Sequence, residues 1–263
     1  MNILDTIIAH KKGEVAQAKS LKTVTELEQM PFFSKPVLSL KNFLLDDTKT
    51  GIIAEYKRQS PSKGIINNIA TVEEVTAAYA KHGASGISIL TDTNFFGGSL
   101  NDLVAATINQ VPLLRKDFMI DEYQFIEAKA YGAEVVLLIA ACLSPKEVQH
   151  FAIFAKNLGL EVLLEIHNEE ELEHICDSVD LVGVNNRNLK NFIVNIDASI
   201  ELIKQIPSAK VAIAESGISN TDTIVTLRQA GFKGFLIGEN FMKQPKPSIA
   251  FANFVTELKT KLT

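Results

Sequence analysis

From Gly51 onward the chain repeats one pattern, a short unbroken apolar run followed by a longer stretch with apolar residues at helical spacing. GIIAEYK leads into a helical pattern over 71–82, GISIL into one over 100–109, VPLLRK into 121–131 and AEVVLLIA into 145–157. LEVLLEI then precedes 169–176, LVGVNN precedes 196–205, KVAIAES precedes 220–230 and GFLIG precedes 249–262. The repeat predicts eight strand-then-helix units, with the continuous apolar strands of a parallel sheet buried on both faces. Ahead of it, Ile3, Ile7, Ile8 and Val15 recur at helical spacing, and Val24 and Leu27 mark a shorter amphipathic segment. Pro31 and Pro36 punctuate a loop, and 40–45 reads as another short helix. One domain over 1–263 is expected, with a helical extension at 1–50 and the repeat over 51–263.

Repeated βα units build either an open doubly wound sheet or a closed barrel. The polar residues favour the barrel. Glu55, Lys57, Lys116, Asp117, Glu165, Asn185, Asn186, Arg187, Glu215 and Ser216 fall at the C-terminal ends of different predicted strands. In a (β/α)8 TIM barrel those ends converge on one mouth, whereas an open sheet spreads them along a line. The expected fold class is therefore α/β, a TIM barrel, and 263 residues suit the roughly 250 typical of one.

Composition narrows the partners. With 26 basic and 31 acidic residues and a net charge of −5, a nucleic-acid surface is not expected. A small anion remains compatible, because a few local cations and backbone N–H groups suffice. Two cysteines, Cys142 and Cys176, lack metal-ligand spacing and fit a reducing cytoplasm. The N-terminus carries no signal-peptide core, and no apolar run reaches the ~20 residues of a membrane helix. No HExxH, paired CxxC, Asp/Glu/His cluster or GxGxxG between strand and helix calls for a metal or cofactor.

The densest chemistry lies in IAEYKRQSPSKG. Glu55 and Lys57 are two apart, so on a strand they point the same way, toward the mouth. They form either a structural ion pair or working groups, and burying two charges for structure alone is inefficient. The loop holding Ser60 reads as a ligand cover or as a plain surface turn. LLRKDF places Lys116 at the end of the third strand, where a neighbouring Lys57 would depress its pKa and make it a general acid. A Schiff-base lysine is equally compatible. Glu165, ending the fifth strand, can pair with Lys116 or exchange protons with substrate. His167 reads as a helix-start or surface residue. Arg187 offers a fork for a carboxylate or phosphate, and asparagine can orient a hydroxyl. AESGI and IGE follow the seventh and eighth strands, the frequent phosphate site of this fold. FFGGS reads as an apolar lid or pocket wall.

Together IAEYKRQSPSKG, LTDTNFFGGS, PLLRKDF, LLEIH, GVNNRNL, AESGI and FLIGENFM resemble the indole-3-glycerol-phosphate synthase family, in its order and spacing. ILDTIIAHKKGEVAQAK is similar to that family's opening helix, so the resemblance spans essentially the whole chain. It implies a cofactor-free conversion of 1-(2-carboxyphenylamino)-1-deoxyribulose 5-phosphate to indole-3-glycerol phosphate, with release of CO2 and water, in tryptophan biosynthesis. It implies Lys116 as general acid and Glu165 in proton transfer during the loss of water. Glu55 and Lys57 would position Lys116 and substrate, Lys57 also facing the phosphate. Asn185 and Glu215 would hold sugar-derived hydroxyls and the polar network. Arg187, with Ser60, would receive the anthranilate carboxylate. Ser216, Gly217, Gly238 and Glu239 would bind phosphate through backbone N–H groups. The ring must be pressed against the keto carbon, and Phe96, Phe118, Leu137 and Leu189 are candidates for the apolar wall, each readable also as core.

Three positions depart from the commonest family pattern: Tyr56 for a smaller aliphatic residue, Asn188 for aspartate and Glu239 for serine. The last weakens a side-chain role in holding phosphate. Three alternatives stand beside this reading: a phosphoribosylanthranilate-isomerase-like barrel, a lysine aldolase and a noncatalytic phosphate-binding barrel. The first does not need an arginine loop such as GVNNRNL, and the last does not need Glu55, Lys57, Lys116 and Glu165 together. A small phosphorylated substrate is the expected partner. A monomer is expected, with a homodimer open.

Overall fold

The computed structural model describes residues 3–187 and 193–262. Three helices come first: α1 (Ile3–Leu21), α2 (Val24–Glu28) and α3 (Leu40–Leu45). The barrel strands are β1 (Ile52–Tyr56), β2 (Gly86–Leu90), β3 (Leu113–Lys116), β4 (Val135–Ile139), β5 (Glu161–Ile166), β6 (Leu181–Asn185), β7 (Val211–Glu215) and β8 (Gly234–Ile237). All pair in parallel in chain order, and the ring closes where Ile52, Ile53 and Ala54 pair with Phe235, Leu236 and Ile237. The expected TIM barrel is the fold observed.

The helices begin where short polar side chains satisfy the first free N–H groups. Thr71, Ser99, Asp121, Ser144, Asn195 and Asn220 each accept from a backbone N–H in the following turn. One expected helix is corrected: 169–176 is a 3-10 segment, Glu169–His174, ending at an extended Ile175. The tighter helix rises about 2.0 Å per residue against about 1.5 Å, which returns a short connection to the next strand. The pattern over 100–109 likewise divides into Leu100–Ala106 and a 3-10 turn, Thr107–Asn109.

Alternation along the strands sorts two cores. Ile52, Ala54 and Tyr56 face the helices, while Ile53, Leu114, Leu137, Leu163, Ile213 and Leu236 fill the barrel interior. Leu40 and Leu44 of α3 join the interior cluster. They enter at the N-terminal end: the backbone N–H of Lys41 donates to Glu161, the first residue of β5, at 3.0 Å. That end is plugged, and the opposite end carries the polar residues.

The N-terminal helix is tied in by a buried ammonium. Lys11 of α1 is 1% exposed and lies 2.8 Å from Asp92 after β2 and 2.8 Å from Asp117 after β3. Asp117 also accepts from Thr91 at 2.6 Å and pairs with Arg115 at 3.1 Å.

Candidate active site

At the C-terminal end of the barrel, two lysines and three carboxylates face one another. Glu55 and Lys57 leave β1 on the same side and pair at 2.7 Å. Ser88 donates weakly to the other Glu55 oxygen, at 3.5 Å. Lys116, ending β3, pairs with Glu165 of β5 at 2.9 Å and lies 3.7 Å from Glu215 of β7. Asn185 of β6 donates to the second Glu165 oxygen at 2.9 Å.

One expectation is corrected here. Lys57 does not depress Lys116, because each lysine is held by its own carboxylates. Burial lowers the Lys116 pKa, but Glu165, Glu215 and Glu55 outweigh it and the net shift is upward. Lys116 is thus an ammonium at neutral pH, which suits a proton donor and not a Schiff-base nucleophile. Burial works against ionised Glu165, yet Lys116, then His167 and Asn185, bring its carboxyl well below the ordinary range. Glu215 goes the other way: burial first, then repulsion from Glu165, pushes it up to about 8 despite Lys116. Its Oε1 is buried with no hydrogen-bond partner among the described residues. Two carboxylates therefore share one lysine and are pushed in opposite directions, Glu165 toward the ionised form and Glu215 toward the neutral one.

Glycines keep these groups close. A Cβ on Gly238 would lie 2.9 Å from the Glu55 Cβ, and one on Gly183 would overlap Glu215 Oε1. The Gly183→Ala variant must displace a buried Glu215 with Leu163 3.3 Å behind the new methyl. We expect a stability loss of about 1–3 kcal/mol from overpacking, read as a lower urea midpoint, together with at least a several-fold loss of kcat. A fully active, equally stable variant would show that Glu215 has room to move.

The loops bring the remaining residues to the rim. After β1, Ser60 sits in a two-residue hairpin paired with Gly64. Arg58 anchors that loop to the next, donating to Gly97 O at 3.2 Å and to Asp102 at 2.8 Å. Asp92 caps the short helix Thr93–Phe96, and the Phe96 and Phe118 rings lie 6.1 Å apart. Phe118 packs on the interior cluster containing Leu137, so the two rings are brought together beside that cluster. Leu189 lies outside the described residues, as does Asn188. Arg187 stands 3.8 Å from Glu239, joining the loops after β6 and β8. Asn186 fixes the segment by donating to Ser216 O at 2.7 Å. Ser216 (φ 67°) and Gly217 (φ 72°) are successive left-handed residues. For a serine that conformation costs about 1 kcal/mol or more and is a feature of ligand sites.

Two buried residues were missed by the sequence reading. His167 is not a surface residue: its side chain is 8% exposed and its Nε2 lies 3.2 Å from Glu165. Lys11 was not singled out at all. The signal for His167 was present, since Glu165 and His167 share the i, i+2 spacing that paired Glu55 with Lys57.

A closed barrel with its ionised groups gathered at the C-terminal mouth defines a TIM-barrel enzyme. Solved structures agree on the fold: tryptophan synthase subunit alpha from Legionella pneumophila superposes with a TM-score of 0.62 at 12% identity, covering 84% of this chain and 95% of that one. Thiamine phosphate pyrophosphorylase from Pyrococcus furiosus gives 0.59 at 16% identity, covering 86% and 100%. Sequence comparison goes further. The family model for indole-3-glycerol phosphate synthase matches residues 4–254. The indole-3-glycerol phosphate synthase of Bacteroides thetaiotaomicron is 47% identical over 98% of this chain and 99% of its own length. That of Polaromonas sp. is 40% identical over 95% and 97%. The chain belongs to the indole-3-glycerol phosphate synthase family. It is a decarboxylating carbon–carbon lyase of tryptophan biosynthesis, acting on a small phosphorylated substrate. No helix among the described residues is long and apolar enough to cross a membrane.

Proposed function

We propose that this mouth performs the family's ring closure with Lys116 as the acid and Glu165 as the proton acceptor. The observation that carries it is the Lys116 ammonium held 2.9 Å from an ionised Glu165 and 3.7 Å from Glu215. Phe96, Phe118 and Leu137 press the anthranilate ring toward the keto carbon; Leu189, outside the described residues, is the fourth candidate for that wall. Arg187 and Ser60 take the anthranilate carboxylate. Ser216, Gly217, Gly238 and Glu239 hold the phosphate by their backbone, with Lys57 beside it, held by Glu55. Asn185 and Glu215 orient the sugar-derived hydroxyls, and a neutral Glu215 can donate a hydrogen bond to one.

The aromatic carbon bearing the carboxylate attacks the keto carbon, and the Lys116 ammonium gives its proton to the keto oxygen as that oxygen gains charge. The new carbon–carbon bond forms, and the bond to the carboxylate breaks. CO2 leaves and its electron pair restores the aromatic ring. The hydroxyl then departs as water with a proton from Glu215, the carboxyl biased toward its neutral form, and Glu165 accepts the proton released from the neighbouring methylene carbon as the indole double bond forms. We also read the chain as a cytoplasmic monomer, in keeping with two free thiols at Cys142 and Cys176.

The test is fluorescence-detected indole formation. Glu165→Gln keeps the side-chain shape but cannot accept the proton, and its kcat is expected to fall about 100-fold, the low end for an acid–base group. Wild-type-like turnover in that variant would remove Glu165 from the chemistry.

A further inference from the structure

The mechanism leaves one buried titratable pair at the mouth without a task, His167 and Glu171. His167 follows β5 two residues after Glu165, so both side chains leave on the same side. Its Nε2 lies 3.2 Å from Glu165 Oε1, and its Nδ1 lies 3.1 Å from Glu171 Oε2. The His167 backbone N–H donates to the same Glu171 oxygen at 2.7 Å, and Asn168 accepts from the Glu171 N–H at 3.2 Å. The ring therefore has a carboxylate beside each nitrogen: Nδ1 hydrogen-bonds Glu171, while the buried Nε2 lies within ion-pair distance of Glu165 without hydrogen-bond alignment, which suits the attraction of an imidazolium for both carboxylates. Around the pair stand Lys116 on β3, Asn185 on β6, Glu215 on β7, Glu55 on β1 and the Cys142 thiol after β4. The His174 ring is engaged elsewhere, with the backbone oxygens of Glu171 and Leu143.

We propose that His167 is a positioning residue: an imidazolium fixed by Glu171 whose charge holds the Glu165 carboxylate ionised. This rests on the reading of Glu165 as the proton acceptor. The need follows from the reaction itself. Lys116 neutralises Glu165 in the resting site but gives up its proton to the keto oxygen, so its charge is lost during turnover. A second cation that takes no part in the proton transfer keeps Glu165 ready to accept. Burial disfavours a charged ring, but Glu165 and Glu171 outweigh it and push His167 up to about 10.

The experiment is the pH profile of kcat in the wild type, His167→Gln and Glu171→Gln. Removing a cation beside a carboxylate raises its pKa, so the ionised form is reached only at higher pH. The acid limb of His167→Gln should move up by about one pH unit, a roughly tenfold loss of kcat on the acid side. On the alkaline plateau kcat and KM should stay within about threefold, since no substrate contact is lost. Glu171→Gln should move the limb in the same direction by less, and it carries the test if His167→Gln does not fold. In the wild type, 15N NMR should find both ring nitrogens of His167 protonated at pH 8. A neutral ring there, or an acid limb that stays in place in a folded variant, overturns the inference and leaves His167 as packing. An active Glu165→Gln enzyme would instead overturn the reading of Glu165 on which it rests.

Discussion

Replacing Lys116 with methionine is expected to lower kcat by about 10³- to 10⁴-fold while the barrel stays folded, the upper range for a general acid. Methionine matches the length of the lysine stem and removes only the charged head, and the stem already packs in a mostly buried position. Two effects combine. The keto oxygen loses its proton donor, and Glu165 and Glu215 lose the cation that separates their protonation states. Without it Glu165 depends on His167 alone for a neighbouring cation, so the acceptor is weakened along with the donor. The carboxylates relieve their own repulsion by taking up a proton, which is why folding survives. Indole fluorescence reads the rate, and a thermal melt read by circular dichroism confirms the fold. Retention of a tenth of wild-type kcat would place the acid elsewhere. The same arrangement bears on the aldolase alternative: an ammonium held by carboxylates is not a nucleophile, so borohydride with substrate should leave no adduct on Lys116.

Lys11→Met is expected to be the most destabilising single change in the N-terminal extension. Lys11 is 1% exposed, and its partners Asp92 and Asp117 are 0% and 1% exposed at the side chain. Removing one member of a buried ion pair leaves an uncompensated charge and costs about 3–5 kcal/mol. Here Asp92 is left without its cation, while Asp117 keeps Arg115. At about 2–4 °C per kcal/mol for a chain of this size, the melting midpoint should fall by about 6–20 °C. The nearby exposed pair of Lys19 with Asp121 is the control. Lys19→Met should cost no more than about 1 kcal/mol, because surface pairs are screened. The Lys11→Met penalty should also shrink at acid pH, because Lys11 helps to hold the Asp117 carboxyl below its ordinary range and that contribution is lost once Asp117 is protonated. Equal melting points for the two variants would show that the network contributes nothing to stability.

The barrel was legible because its strands are short unbroken apolar runs and its polar residues sit at one end of them. That end-loading also placed Glu55, Lys57, Lys116, Glu165, Asn185 and Glu215 at one mouth before any coordinates. Pairing across the mouth was not legible. Which carboxylate meets which lysine depends on barrel shear and side-chain reach, so Lys116 was given Lys57 for a neighbour when it has Glu165 and Glu215. Lys11 was invisible for a similar reason. In HKKGE a lysine between polar neighbours reads as solvated surface, and only the tertiary positions of Asp92 and Asp117 bury it. The 3-10 segment at Glu169–His174 was missed because its acidic, polar run carries a helical start signal but too few residues to complete helical turns.

The Lys11 anchor also bears on how the chain folds as it is made. Synthesis runs from the N-terminus at about 5–20 residues per second, so α1 leaves the ribosome well before the loops carrying Asp92 and Asp117. Until then its lysine is a solvated ammonium on an undocked 19-residue helix that lacks the tertiary packing from which most helical stability comes. The ring itself cannot close until β8 arrives to pair with β1. This segment, made before the barrel, is thus among the parts that wait for their partners.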